Sequence, residues 1–241
     1  MKILVLGDGL LGKELCKQTG WDCISRKKDG FDITKPYTFY KFFTEQEQGV
    51  ITYKKYDCIV NCIANTDTYS DDKESHWNVN YKGVADLVDF CNQAGIKLVQ
   101  ISTDHVYVNS KPEASEEDVP VHDNNWYGYT KLVADAYVQL KSKSYLLLRE
   151  SHKPCPFPYP KVWRDQFTNG DYVHNIVKLI VRLIEIDAAG VYNVGTYLKT
   201  WWDLVRKDHH NVSPIRKPAH IPADITMNIN KMSNAIREIN Q

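Results

Sequence analysis

The sequence predicts an α/β fold, a doubly wound parallel sheet with a small C-terminal region. Three observations lead there. Apolar runs of strand length alternate with longer segments of helical spacing through most of the chain. Lys2–Leu6 is a compact run of the kind found in strands buried on both faces of a sheet. That run feeds directly into a glycine-rich turn that opens a helix. Repeated strand–helix alternation builds βαβ units, and their helices cover the sheet on both sides.

Residues 2–6 form the first compact run, and 11–18 follow as a helix that stops near Gly20. A short strand is expected at 22–25. Pro36 stands at the first turn of an aromatic-rich segment, 35–47, that reads as a helix. Residues 58–63 are another buried strand. Over 77–94 the positions Val79, Val84, Leu87, Val88 and Cys91 keep helical spacing up to Gly95. Strands at 97–101 and 145–148 flank a helix over 127–141. Ile176, Leu179, Ile180, Leu183 and Ile184 share one face of a helix over 175–186, and 190–194 is the last strand. The Pro-dense stretch 153–161 excludes regular helix and central strand. It marks the passage from a first domain, 1–150, to a smaller region, 151–241, packed on the first and interleaved with it. Residues 209–224 read as loop.

Composition narrows the classes. A chain of 241 residues suits one α/β domain, or one with a small lobe. Thirty basic and thirty acidic residues cancel, so no overall field calls for nucleic acid. Of the six cysteines, none forms a Cys-x-x-Cys pair, and Cys58 and Cys62 are four apart on a strand, so no metal site is expected. Five of the six fall in predicted elements, where reduced thiols behave as small buried apolar groups. The opening Met1–Gly7 is too short and too soon broken to be a signal peptide, and no apolar run approaches the ~20 residues that span a bilayer. The expected setting is the cytoplasm, without membrane contact.

Gly7-Asp8-Gly9-Leu10-Leu11-Gly12 is Gly-x-Gly-x-x-Gly between the first strand and first helix, the context that motif requires. The first Gly allows a tight turn, the second lets backbone approach a pyrophosphate, and the third permits close helix–strand packing. Unpaired N–H groups of the helix then face the phosphates. A dinucleotide cofactor and a Rossmann-type sheet follow. After the second strand an acidic residue would bond a ribose 2′-OH. This chain has Ser25-Arg26-Lys27-Lys28 instead, with Arg26 nineteen residues past Gly7. Cations there suit a 2′-phosphate, so Arg26 and Lys27 favour NADP(H) over NAD(H). Asp32 and Ile33 are candidate adenine contacts.

Tyr127 and Lys131 stand four apart on a predicted helix and therefore share a face. An ammonium beside a phenol favours the phenolate, and such a Tyr can exchange a proton with a carbonyl or alcohol oxygen near neutral pH. Ser102-Thr103-Asp104-His105 lies at the C-terminal end of a predicted strand, where ligands of open parallel sheets sit. The Thr103 hydroxyl is a candidate donor to a substrate carbonyl.

These pieces resemble the extended short-chain dehydrogenase/reductase family, and within it dTDP-4-dehydrorhamnose reductase. The carrying residues are the loop 7–12, Val60-Asn61-Cys62-Ile63-Ala64 with Thr66, Asn78-Val79-Asn80, Ser102 to Tyr107, Tyr127 to Lys131, Asp165-Gln166-Phe167, Asp171-Tyr172-Val173, Gly190 to Gly195, and Met227 to Lys231, in family order over nearly the whole chain. The resemblance implies a catalytic Thr103, Tyr127 and Lys131. It implies that Cys62, Ile63 and Ala64 run beneath the cofactor, that Asn80 supports a proton-relay water, and that Lys131 also bonds the nicotinamide ribose. It implies hydride transfer to a keto-sugar nucleotide, with Thr66, Thr103, Asp104, His105 and His152 on the substrate side. Some relatives pair as homodimers through helices flanking the sheet.

The chain also departs from the family. His105 stands where an aromatic Tyr is common, and His152 where a Trp is common. A relative that both epimerises and reduces carries a cysteine acid/base two residues after its triad Ser, the place His105 occupies. Only the Pro-rich stretch joins Arg149 to Asp165, where relatives insert a helix. No Glu follows Thr103-Asp104, which argues against the sugar-nucleotide dehydratases. Two alternatives to a reductase stand beside it: a non-catalytic NADP-binding regulatory subunit, and an epimerase that uses His105.

Overall fold

The structure is a computed structural model that describes residues 1–47, 50–53, 56–122, 124–209 and 211–238. It divides into two compact units, Met1–Ile101 with Asn124–Leu147, and Ser102–Asp123 with Leu148–Gln241.

The first unit begins with β1 (Ile3–Leu6), buried at all four residues. The chain turns through glycines into α1 (Leu10–Thr19), which buries Leu11 and Leu15 and ends at Gly20 in the left-handed region, φ 71°. β2 (Asp22–Ile24) returns parallel to β1 with Leu4 opposite Asp22. Ser25 then caps a single turn, α2 (Arg26–Asp29), by accepting from the Lys28 N–H at 3.2 Å.

The helix expected over 35–47 is shorter. α3 (Tyr37–Phe43) ends where Thr44 takes an extended backbone, φ −121° and ψ 152°. β3 (Thr44–Glu47) then pairs antiparallel with β4 (Val50–Tyr53). Thr44, Val50, Ile51, Thr52 and Tyr53 are β-branched or aromatic, and such residues favour the pleated pairing over continued helix. The aromatic content serves packing: Phe39 and Phe43 are buried, with ring centroids 5.6 and 5.7 Å from Phe31 and 5.8 and 5.2 Å from Phe90.

β5 (Cys58–Asn61) lies parallel to β1 on its other side, with Ile3 opposite Cys58. The helix after it starts a turn earlier than expected and has three pieces: α4 (Lys73–His76), a π-helical turn Trp77–Lys82, and α5 (Gly83–Ala94). The Asp72 carboxylate caps its start by accepting from the Ser75 N–H at 3.0 Å. Val84, Leu87, Val88 and Cys91 form its buried stripe. β6 (Lys97–Thr103), α6 (Trp126–Lys141) and β7 (Tyr145–Glu150) follow.

In the second unit a 3₁₀ turn, Asp104–Tyr107, continues from the end of β6. β8 (His152–Lys153), β9 (Lys161–Trp163), β10 (Phe167–Thr168) and β11 (Asp171–Tyr172) are very short. α7 (Val173–Glu185) buries Ile176, Ile180, Leu183 and Ile184 as its spacing requires, and β12 (Gly190–Val194) follows. β13 (Lys199–Thr200), α8 (Trp201–Val205), β14 (Ser213–Ile215) and α9 (Asn230–Arg237) complete the chain. Phe157, Val162, Tyr172, Trp201, Leu204, Val205 and Val212 make one apolar cluster.

Strand order in the central sheet is β12-β7-β6-β5-β1-β2. The predicted Rossmann-type parallel sheet is therefore present. The order reverses at β1: one connection leads outward to β2, and the next returns to β5. The crevice beyond the C-terminal ends of β1 and β5 is the switch point where such sheets hold ligands.

One expectation about the cysteines is overturned. Cys58 and Cys91 are buried and outside any disulfide, but Cys16 and Cys23 form one, with Cα atoms 6.5 Å apart. The reversal at Gly20 brings the last turns of α1 back against β2, so seven residues of sequence become a short distance. Cys23 is exposed rather than buried, and the cysteines do not support a reduced setting.

Candidate active site

The glycine loop is shaped by close approach. Gly7 has φ 99°, and a Cβ there would come within 3.0 Å of Ile63 Cγ1. A Cβ on Gly12 would lie 2.1 Å from the Gly7 carbonyl oxygen, so only glycine lets α1 start this close to the turn. A Cβ on Gly9 would meet nothing within 4 Å, which leaves that side of the turn open. α1 has no side-chain cap and no acid in its first turn. Its leading N–H groups and positive dipole end thus suit an anion. Leu10, its first residue, is exposed, and Leu11 is in the core.

The crevice at the switch point is an open cleft of about 280 Å³. Gly7, Asp8 and Gly9 form one wall, and Cys62, Ile63, Ala64 and Asn65, leaving β5, form another. Arg26, Phe31, Asp32 and Ile33 close one end, and Val79 also lines it. The cleft thus gathers Gly7, Gly9, Arg26, Asp32, Ile33 and 62–64 from the residues expected at a cofactor. Lys27 is exposed on α2 and outside this lining. The Arg26 side chain is 80% exposed, with Nε 3.4 Å from Asp32 Oδ2. Burial works against the Asp32 carboxylate, but two hydrogen bonds from Thr34 and the charges of Arg26 and Lys35 outweigh it and hold its pKa below the usual range. A charged Asp32 keeps Arg26 at the rim. The residues present fit a dinucleotide phosphate: a glycine cradle, a helix start and a solvent-facing guanidinium.

The first unit also holds Tyr127 and Lys131. Asn125 caps α6 by accepting from the Gly128 N–H at 2.7 Å. Tyr127 is half-buried and Lys131 is 3% exposed. The Lys131 ammonium donates to the Ile101 carbonyl at 2.6 Å, which pins it to β6. Asn80 lies in the π-helical turn and is 1% exposed. Its Oδ1 accepts from the Asn65 N–H at 2.8 Å, and its Nδ2 donates to the Asn65 carbonyl at 3.0 Å and to Thr130 Oγ1 at 3.2 Å. Two residues that sequence reasoning passed over join it here. One is Thr130, between Tyr127 and Lys131. The other is His76, whose ring stands edge-on to Tyr127 with centroids 6.5 Å apart. Thr66 is exposed on the loop beyond Asn65.

The second unit carries the other residues assigned to the substrate side. Thr103 is 4% exposed; its hydroxyl donates to Asp104 Oδ1 at 3.1 Å and caps the 3₁₀ turn by accepting from the His105 N–H at 3.2 Å. Asp104 is buried, and that burial, reinforced by Glu150, keeps its pKa above the usual carboxylate value despite His105, Ser151 and Thr103. His152 Nδ1 donates to Glu150 at 2.9 Å. Burial opposes charge on His152, but Glu150 prevails and raises its pKa. Burial lowers the pKa of Lys153, with only Asp104 opposing; its ammonium lies 4.6 Å from the Trp201 ring centroid. Glu150 and Lys153 were not foreseen, because neither belongs to a motif and each matters only through its neighbour.

The parallel sheet, the glycine turn at its switch point and the Tyr-x-x-x-Lys helix define the architecture of an extended short-chain dehydrogenase/reductase, an NAD(P)-dependent oxidoreductase class. Residues 1–152 match the family model of the RmlD substrate binding domain, and the chain belongs to that family. It is 24% identical over 225 residues to the spore coat polysaccharide biosynthesis protein SpsK of Bacillus subtilis (strain 168), covering 84% of this chain and 76% of that protein. Its fold is similar to that of a dTDP-4-dehydrorhamnose reductase from Clostridium acetobutylicum, with TM-score 0.79, 22% identity, and 96% of this chain and 91% of that one covered. It is also similar to a dTDP-4-dehydrorhamnose reductase from Bacillus anthracis in complex with NADP, with TM-score 0.77, 21% identity and both chains fully covered.

Proposed function

We propose that the protein is an NADP(H)-dependent reductase of a keto-sugar nucleotide, in which Tyr127 gives a proton to the carbonyl oxygen. The observation that carries this reading is the switch-point cleft with the glycine turn on one wall and Arg26 at its rim, on the same unit as the Tyr127–Lys131 helix. Family membership and the NADP complex of the Bacillus anthracis reductase support it.

When bound, NADPH supplies a hydride to the carbonyl carbon. Gly7, Gly9, Leu10, Leu11 and Gly12 would hold its pyrophosphate with backbone, and Arg26, aided by Lys27, would take the 2′-phosphate. Asp32 and Ile33 would contact the adenine, and Cys62, Ile63 and Ala64 would offer backbone to the cofactor. Lys131 stabilises the Tyr127 phenolate and bonds the ribose; Asn80 supports the return of a proton from solvent. Thr103 donates a hydrogen bond to the substrate carbonyl, so a substrate has to draw its hydroxyl hydrogen away from Asp104. Thr66, Asp104, His105 and His152 contact the sugar nucleotide. In this reading 1–150 serves the cofactor and 151–241 the substrate. Among the described residues no helix is long and apolar enough to cross a membrane. A cytoplasmic setting goes with the reading, since NADPH is a cytoplasmic reductant.

The test is incubation with NADPH and a panel of keto-sugar nucleotides, dTDP-linked ones first. Oxidation of NADPH with formation of the alcohol is expected. Tight NADPH binding without oxidation by any carbonyl would sink the reading and favour a regulatory subunit. Solvent deuterium entering the carbon beside the carbonyl would favour the epimerase.

A further inference from the structure

His76 has no part in the reading above, yet its side chain is 0% exposed and sits at the start of the π-helical turn. Its Nε2 lies 3.1 Å from the Asp67 carbonyl oxygen. A carbonyl has only lone pairs to offer, so Nε2 carries the hydrogen and Nδ1 keeps a lone pair. Asn80 Nδ2 lies 3.3 Å from that Nδ1. The orientation of the Asn80 amide is fixed independently, because its Oδ1 accepts from the Asn65 N–H. Its two Nδ2 hydrogens therefore serve three acceptors: the Asn65 carbonyl, Thr130 Oγ1 and His76 Nδ1. Thr130 gives its own hydrogen to the Trp126 carbonyl at 2.7 Å, so toward Asn80 it is an acceptor. His76, Asn80 and Thr130 are all buried, and a buried donor or acceptor left without a partner is costly.

We propose that His76 is a positioning residue for proton transfer at Tyr127: as a neutral imidazole protonated at Nε2, it accepts from Asn80 and so holds the side chain that ties α6 to the loop after β5. The proposal rests on the reading of Tyr127 and Lys131 as the proton-transfer pair. Thr130 is the link, since it sits on the turn of α6 between them. The edge of the His76 ring against Tyr127 adds a direct contact to the same helix start. A π-helical turn at this place fits the role, because such turns recur at functional sites.

The experiment compares His76→Leu and His76→Asn in the full chain with NADPH bound. Leu fills space but accepts nothing, whereas the Asn Oδ1 offers an acceptor close to the place of Nδ1. His76→Leu is expected to lower kcat about tenfold to a hundredfold, the cost of a small misplacement, with substrate KM within about threefold. His76→Asn is expected to restore kcat to within about threefold of the native chain. Melting temperatures should fall alike in both, so a merely structural role would move the two activities together. Native kcat in His76→Leu, or equal losses in both variants, overturns the proposal. If the native protein reduces no carbonyl, the reductase reading fails and the ionisation of Tyr127, followed by carbon NMR of its phenol, decides alone. A midpoint raised by Leu and returned by Asn supports the proposal; an unmoved midpoint overturns it. Should His76→Leu not fold, ring-nitrogen NMR of the native protein decides, and an Nδ1–H tautomer overturns it.

Discussion

In the first unit the cleft is made by backbone leaving two buried strands, β1 and β5, whereas the second unit gathers the titratable side chains Asp104, Glu150, His152 and Lys153 just past β6, at the end of β7 and on the two-residue β8. The two constructions fail in different ways. Backbone at the end of a buried strand is held by the whole register of the sheet, from Ile3 opposite Cys58 to Leu6 opposite Asn61. The Glu150–His152 pair, Asp104 and Lys153 are held by each other in a poorly solvated setting. The first unit is therefore tuned by shape, and the second by charge and pH.

Tyr127→Phe is expected to have the largest effect and breaks the comparison if it does not. Turnover should fall at least about a hundredfold, the scale of a lost general acid, with NADPH affinity within a few-fold. Retained turnover, measured as NADPH oxidation, would remove Tyr127 from the proton-donor role. Next comes Arg26→Ala, which should weaken NADPH by about tenfold to a hundredfold, the range of a lost charge-assisted contact, and NADH far less. Equal losses in a binding titration would show that the rim of the cleft does not read the 2′-phosphate.

The smallest effect sharpens the charge side. His152 has a folded pKa raised above its unfolded value of ~6.5, so its stabilisation is full below that value and fades as pH rises through the folded one. Glu150→Gln should therefore cost about 1–2 kcal/mol near pH 6 and progressively less toward pH 8. Urea unfolding at the two pH values checks this; a constant difference would mean that the pair carries no proton-linked energy.

What could be read from the sequence follows the same division. The glycine turn and Cys62–Ala64 are local: each follows a strand whose apolar run is visible, and Arg26 follows a short strand paired to the first of them, so the strand ends place them together. His76 was invisible because the helical pattern begins at Trp77, and the capped first turn before it has no apolar spacing to mark it. The π-helical turn was also invisible, since one added residue in the ladder leaves the stripe Val84, Leu87, Val88 and Cys91 intact. The overlong helix at 35–47 came from reading aromatic density as helix, when Thr44 and the β-branched partners of β4 turn the backbone into a hairpin. Partners distant in sequence, such as Lys153 and Trp201, leave no periodic trace at all.

The Cys16–Cys23 disulfide closes a small covalent ring around the turn where α1 hands over to β2, its two cysteines seven positions apart in sequence. One side of that ring is the helix whose start faces the cleft, and the other leads into Ser25 and Arg26. Opening it would return about 2.5 kcal/mol of loop entropy to the unfolded chain. The thiol–disulfide poise of the surroundings thus acts on the stability of the chain through the corner where α1 meets β2.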